Sequence, residues 1–121
     1  MPGKILLVDP DPNNQSFAAE LTQAGYEVQV SNTGTDALPK IRLIKPDLVI
    51  SELTLPKLNG LDMIRAIKEN PSTQNTKILV FSSLADQEMQ EEAKALGALE
   101  FLPKSVYKPG ILTQAVKKHL P

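Results

Sequence analysis

Four polar side chains stand where apolar runs stop, and together their types could do chemistry. They are the carboxylates of Asp9 and Glu52, the hydroxyl of Ser82 and the ammonium of Lys104. A carboxylate can attack as a nucleophile or offer oxygen ligands to a hard cation. An ammonium close by would neutralise it, the attraction being offset by desolvation. Other chemistries are excluded at once. The chain has no cysteine and one histidine, His119, so it has no thiolate nucleophile, no disulfide framework and no multi-histidine metal site. It shows no Gly-rich phosphate loop, no Ser-His-Asp set and no metalloprotease motif.

The elements that must position these residues alternate between two kinds. Short apolar, β-branched runs at Lys4 to Asp9, Glu27 to Ser31, Asp47 to Glu52, Lys77 to Ser82 and Leu99 to Leu102 read as strands. Three are almost continuously apolar, as parallel strands covered on both faces should be. The second alternates Glu27, Val28, Gln29, Val30, which suits an edge. Between them run helical stripes: Phe17, Leu21 and Ala24; Leu38, Ile41 and Ile44; Leu61, Ile64 and Ile67; Met89, Ala93 and Leu96; Ile111, Ala115 and Val116. Gly25, Pro46, Asn70-Pro71 and Gly97 supply stops, and Pro109 opens the last helix. Pro39 lies inside the second stripe and should bend that helix or push its start later.

Five strands alternating with five helices predict a single α/β domain over residues 1–121. The expected architecture is a flavodoxin-like, doubly wound parallel sheet of order 2-1-3-4-5 with right-handed crossovers. In such folds ligands bind outside the C-terminal strand ends, at the switch between strands 1 and 3. That rule alone brings Asp9, Glu52, Ser82 and Lys104 to one rim. A net charge of −1 gives no field to draw the chain to nucleic acid or anionic lipid, and no apolar run approaches a membrane span. A cytoplasmic location is expected, without nucleic-acid or membrane partners.

The pieces Ile5-Leu6-Leu7-Val8-Asp9, Pro46 through Gly60, Ile78 through Ser83 and Gly97 through Lys104 resemble, in order and over essentially the whole chain, a response-regulator receiver domain of two-component signalling. The resemblance implies that Asp9 is the first of an acidic pair holding a divalent metal. Thr54 lies where a backbone carbonyl contacts that metal, and Ser82 matches the hydroxyl that hydrogen-bonds the phosphoryl group, with Ser83 its small neighbour. Lys104 matches the lysine that contacts the acceptor carboxylate and phosphate. Phe101 matches the aromatic whose inward or outward rotamer accompanies switching.

Three positions depart from the pattern. Glu52 stands where the family has its acceptor aspartate, Pro10 where it has its second metal-binding acid, and Ser105 where it has a proline in a cis bond. The extra methylene of Glu52 puts its oxygens into space meant for the phosphoryl group, and a misplacement of about 1 Å can cost on the order of 10²-fold. Efficient phosphorylation is therefore not expected, and no catalytic residue is assigned. No cofactor is required, with room left for weak Mg²⁺ binding through Asp9, Glu52 and Thr54. Asp11 could replace the missing ligand, but Asp11-Pro12 before a helix is better explained as turn and capping chemistry. Glu52 is expected first as a counter-ion to Lys104 and only second as a partial phosphate mimic.

The expected function is thus a pseudo-receiver that signals by protein–protein binding. A histidine kinase, an effector domain or another receiver is the expected partner, and a homodimer is left open. By analogy and helical spacing, the binding surface includes Gln87, Gln90, Glu91 and Lys94 on the fourth helix and Lys108 and Lys117 on the fifth. His119 is expected to complement the last helix's dipole. Two alternatives remain: a metal-dependent phospho-switch with weak residual phosphorylation, and a flavodoxin-like small-ligand-binding domain.

Overall fold

A computed structural model of the chain describes residues 3–120. Its elements follow in the order β1 (Lys4–Val8), α1 (Asn14–Gln23), β2 (Glu27–Ser31), α2 (Gly34–Ile44), β3 (Leu48–Ser51), α3 (Gly60–Glu69), β4 (Lys77–Ser82), α4 (Gln87–Leu96), β5 (Glu100–Pro103) and α5 (Ile111–His119). All strands pair in parallel, in the order β2-β1-β3-β4-β5. This is the expected flavodoxin-like arrangement, with β2 at an edge.

The apolar runs become strands because both of their faces are covered. Leu6, Val8, Val49, Ile78 and Val80 point to one face, where Ala37 and Ile41 of α2, Met63, Ile64 and Ile67 of α3 and Ala93 of α4 cover them. Ile5, Leu7, Leu48, Ile50, Leu79 and Phe81 point to the other, against Phe17 and Leu21 of α1 and Leu112, Ala115 and Val116 of α5. Alternation along each strand builds both cores at once. Helix starts are fixed by side-chain caps. Thr33 accepts from the Asp36 N–H at 3.0 Å, Asn59 from Asp62 at 2.9 Å and Asp86 from Met89 at 3.1 Å. α4 stops at Gly97, whose φ of 118° few other residues would adopt.

Pro39 does not push the start of α2 later: the helix begins at Gly34, five residues before it. Proline removes the bond that would reach the Thr35 carbonyl, but Thr35 and Pro39 are both exposed, so water can serve that group. Pro109 precedes α5 rather than opening it, since Gly110 occupies the N-cap. The strand expected to run through Glu52 ends at Ser51, which leaves Glu52 just past the ladder. After β5 a single 3-10 turn spans Lys104–Val106, and no cis peptide bond occurs among the described residues.

Candidate functional site

Register brings the four strand-end residues together. Val8 is level with Ser51, and Ser82 with Pro103, so Asp9, Glu52, Ser82 and Lys104 all emerge at one rim. The Glu52 N–H bonds the Val8 carbonyl at 3.0 Å, tying Glu52 to β1. Gly60 seats the loop that follows β3. A Cβ there would lie 2.6 Å from the Glu52 carbonyl oxygen and 2.6 Å from Leu53 Cα. Its N–H bonds the Leu53 carbonyl at 2.9 Å.

Glu52 is buried, and its carboxylate folds back onto the strand ends instead of reaching outward. Oε2 accepts from the Ser82 hydroxyl, from the Leu53 N–H at 2.7 Å and from the Thr54 N–H at 3.2 Å. Oε1 accepts from the N–H and the hydroxyl of Ser83, both at 3.2 Å, and faces the Lys104 ammonium at 3.2 Å. Six donors thus converge on one carboxylate. Burial works against its charge, but the hydrogen bonds from Ser82, Ser83 and Thr54 and the nearby ammonium outweigh it and hold Glu52 below its ordinary pKa.

Lys104 is shared among three acids. Its Nζ lies 2.9 Å from Asp9 Oδ2 and 3.1 Å from Oδ1, and 3.0 Å from Asp11 Oδ2, both nearer than Glu52. Beneath it are the rings of Phe81 and Phe17, with centroids 5.5 and 5.7 Å away. Tyr107 completes an aromatic trio with them, at centroid distances of 5.1 and 5.7 Å. Burial disfavours the ammonium, yet Asp9 and Asp11 more than compensate and raise its pKa. Asp9 is fully buried. Burial pushes its carboxyl above the ordinary range despite Lys104 and the Asp11 N–H at 2.9 Å. A shallow cleft of about 280 Å³ opens above, lined by Asp9, Pro10, Asp11, Thr54, Ser83 and Lys104 among others.

Asp11 makes the expected turn contact and, with its other oxygen, meets the Lys104 ammonium rather than a metal. Oδ1 accepts from the Asn13 N–H at 2.8 Å, a turn contact, and Oδ2 binds Lys104. The Asn13 N–H is the main reason its pKa is lowered, with Lys104 adding to it. The aromatic trio under Lys104 leaves no mark in the sequence, since Phe17 and Phe81 sit at ordinary core positions and only the folded chain stacks them below the ammonium.

The family model of the response regulator receiver domain matches residues 5–117. The chain belongs to the response-regulator receiver family. It is 36% identical to the chemotaxis protein CheY of Thermotoga maritima, over 95% of each chain. Other curated relatives are longer, and the chain spans between 7% and 34% of their length. The chemotaxis protein CheY4 of Vibrio cholerae has the same fold, with TM-score 0.91 and 29% identity over 99% of this chain and 100% of that one. The receiver domain of a Pseudomonas aeruginosa sensor histidine kinase superposes with TM-score 0.87 at 24% identity, over 98% of each chain, and holds a magnesium ion in its active-site cleft. Receiver-family membership sets aside a small-ligand binder unrelated to signalling.

The receiver's side chains do not offer a metal such a place. Both Glu52 oxygens are engaged, position 10 is proline, and the ammonium stands among the remaining carboxylates. Asp9 Oδ2 makes no well-directed hydrogen bond and has the ammonium 2.9 Å away. Thr54 directs its N–H to Glu52 at the cleft edge. Among the described residues, no group of three or more His, Cys, Asp or Glu side chains is arranged to hold a metal ion.

Phe101 is buried in the α2-α3-α4 core with Ala93 and Ala98. Gln87, Glu91 and Lys94 form an exposed stripe on α4, where the Gln87 amide donates to Glu91 at 3.0 Å. Gln90 turns back to the Ala85 carbonyl at 2.9 Å. Lys117 is exposed on α5, but Lys108 lies in the loop ahead of that helix rather than on it. His119 does occupy the last turn of α5, and it also meets Glu100 at 3.0 Å. Among the described residues, no helix is long and apolar enough to cross a membrane.

Proposed function

We propose that this receiver domain is a protein-binding module of a two-component pathway, held in a phosphoryl-like state by its own Glu52. The carrying observation is the convergence of the Ser82 and Ser83 hydroxyls, the Leu53, Thr54 and Ser83 N–H groups and Lys104 on that one carboxylate. These donors would otherwise serve a phosphoryl group. A carboxylate with its lone pairs engaged and its side chain buried is poorly placed for in-line attack on a donor. Lys104 supplies the positive charge that a metal would bring, so Mg²⁺ is not needed and binds weakly.

The inward Phe101 and the engagement of Ser82 favour this reading over an inert scaffold, with Glu52 acting as phosphoryl surrogate first and counter-ion second. The surface formed by α4, β5 and α5 meets the partner, a histidine kinase, an effector domain or another receiver.

A spectroscopic comparison tests this. The wild-type chain should take up no phosphate from acetyl phosphate. Glu52→Asp combined with Pro10→Asp should respond to beryllofluoride and Mg²⁺, its Ser82 and Phe101 resonances moving toward those of the untreated wild type. Wild-type phosphorylation, or resonances in the treated variant that move away from the wild-type positions, would refute it.

A further inference from the structure

Away from the site, the flank of the molecule at β2 is unusually poor in charge. α1 carries one charged residue, Glu20, and its carboxylate is spent on the Tyr107 hydroxyl at 2.7 Å and on the Thr113 N–H and hydroxyl at 2.9 and 3.1 Å. The exposed residues of α1 are Gln15, Ser16, Ala19, Thr22 and Gln23. Beside them runs a groove of about 640 Å³ along Val28 and Val30. In a chain with 22% charged residues, such depletion marks the centre of a protein interface.

β2 is also an open backbone edge. The Glu27 N–H bonds the Gly3 carbonyl at 3.1 Å, and the Asp9 N–H bonds the Ser31 carbonyl at 2.9 Å. Glu27, Gln29 and Ser31 therefore turn their backbone groups toward β1, and the two-residue period turns those of Val28 and Val30 outward. Lys40 confirms the direction, since its ammonium reaches the Val30 carbonyl from outside at 3.2 Å.

We infer that β2 pairs antiparallel with β2 of a second copy of this chain, about a two-fold axis through Gln29, so that one sheet runs through both. In this register Val28 and Val30 of the partner subunit exchange two N–H···O bonds, and symmetry repeats them. The Val30 carbonyl keeps a second lone pair for Lys40. The valine side chains pack on the α1 face with Phe17 and Leu21. Glu27 and Gln29 consequently lie on the α2 face, with Lys40. The antiparallel register sets Glu27 opposite Ser31 of the partner subunit and beside the partner's Lys40. Lys40 already meets Asp36 of its own helix at 3.1 Å, so each interface contact adds a second acid to that ammonium. Centring the pair on Val30 instead would bring the two Lys40 ammoniums together, which disfavours that register. The small residues Ala19 and Thr22 let the two α1 helices approach above the groove.

The absence of cysteine makes the test direct. Gln29→Cys places two thiols at a non-hydrogen-bonded pair with Cα atoms about 4.5 Å apart, within disulfide reach. Mild oxidation of the whole chain should convert it to a covalent dimer, while Glu69→Cys, exposed at the end of α3, stays largely monomeric. Sedimentation of the wild type should rise toward the dimer mass with concentration. Glu27→Lys or Lys40→Glu, each with an unchanged far-ultraviolet spectrum, should weaken association about tenfold, and the two together should restore it. Cross-linking of Gln29→Cys no faster than Glu69→Cys, a wild type monomeric at every concentration, or a charge swap that fails to restore what the single changes lost would each overturn the inference.

Discussion

The Lys104 ammonium and the Asp11 carboxylate stand 3.0 Å apart, joining the first and last βα loops across 93 residues of sequence. With Asp9 and Glu52 they make a cluster of three acids around one cation. The cation is therefore its weakest point. Lys104→Met should destabilise the domain by about 3 kcal/mol, because it leaves buried carboxylates uncompensated. Urea unfolding at neutral pH measures this, and a loss no larger than that of an exposed lysine would contradict it.

Asp9 should behave in the opposite sense. Its raised pKa means the fold disfavours its charge, so its contribution to stability is greatest at low pH. That contribution declines as pH rises from its unfolded value, about 3.9, through its folded one. Asp9→Asn should thus cost less stability at pH 7 than Lys104→Met does, and its cost should grow as pH falls toward the unfolded value. Glu52 has a lowered pKa, so its contribution is present above its unfolded value and is lost as pH falls. Removing Asp9 should therefore make the acid limb of the stability curve steeper.

Tyr107 governs the alkaline limb. Burial first, and the Glu20 carboxylate second, push its phenol up to about 12. The neutral phenol in the fold supports stability fully below the unfolded value of about 10, and that support is lost as pH rises through about 12. Tyr107→Phe should flatten this stretch of the curve and cost about 1 kcal/mol at neutral pH through the lost bond to Glu20. The phenolate absorbance band reports the titration directly.

Gly60→Ala should cost about 2 kcal/mol, since the added methyl meets backbone at 2.6 Å on two sides. The displaced atoms belong to Glu52 and Leu53, so the Ser82 and Ser83 amide resonances should shift with it. Shifts confined to α3 would show that the loop yields elsewhere.

Magnesium should bind the wild type more weakly than about millimolar. Lys104→Ala, by vacating the space among the carboxylates, should tighten it. Isothermal titration distinguishes this from equal, weak binding in both proteins.

The sheet order and the meeting of Asp9, Glu52, Ser82 and Lys104 were legible because both follow from local pattern. Apolar runs name the strands, and the residue just past each run lands on the same rim. Less legible was anything decided by a side-chain torsion or a distant neighbour. The backward fold of Glu52 depends on donors from Leu53, Thr54, Ser82 and Ser83 arriving together, and its lengthened stem suggested an outward reach instead. Asp11 looked complete as a turn residue because its second oxygen finds Lys104 only through the fold. Pro39 looked disruptive because a sequence does not reveal that it and Thr35, whose carbonyl it orphans, lie on the exposed side of α2.

On the proposed reading, the six donors around Glu52 also set a timescale. An acyl phosphate is eventually lost to water, whereas a carboxylate fixed to the chain by carbon–carbon bonds is not. No phosphatase could silence such a signal and no kinase could start it. Its strength would follow the rate at which the polypeptide is made, and its duration the rate at which it is degraded.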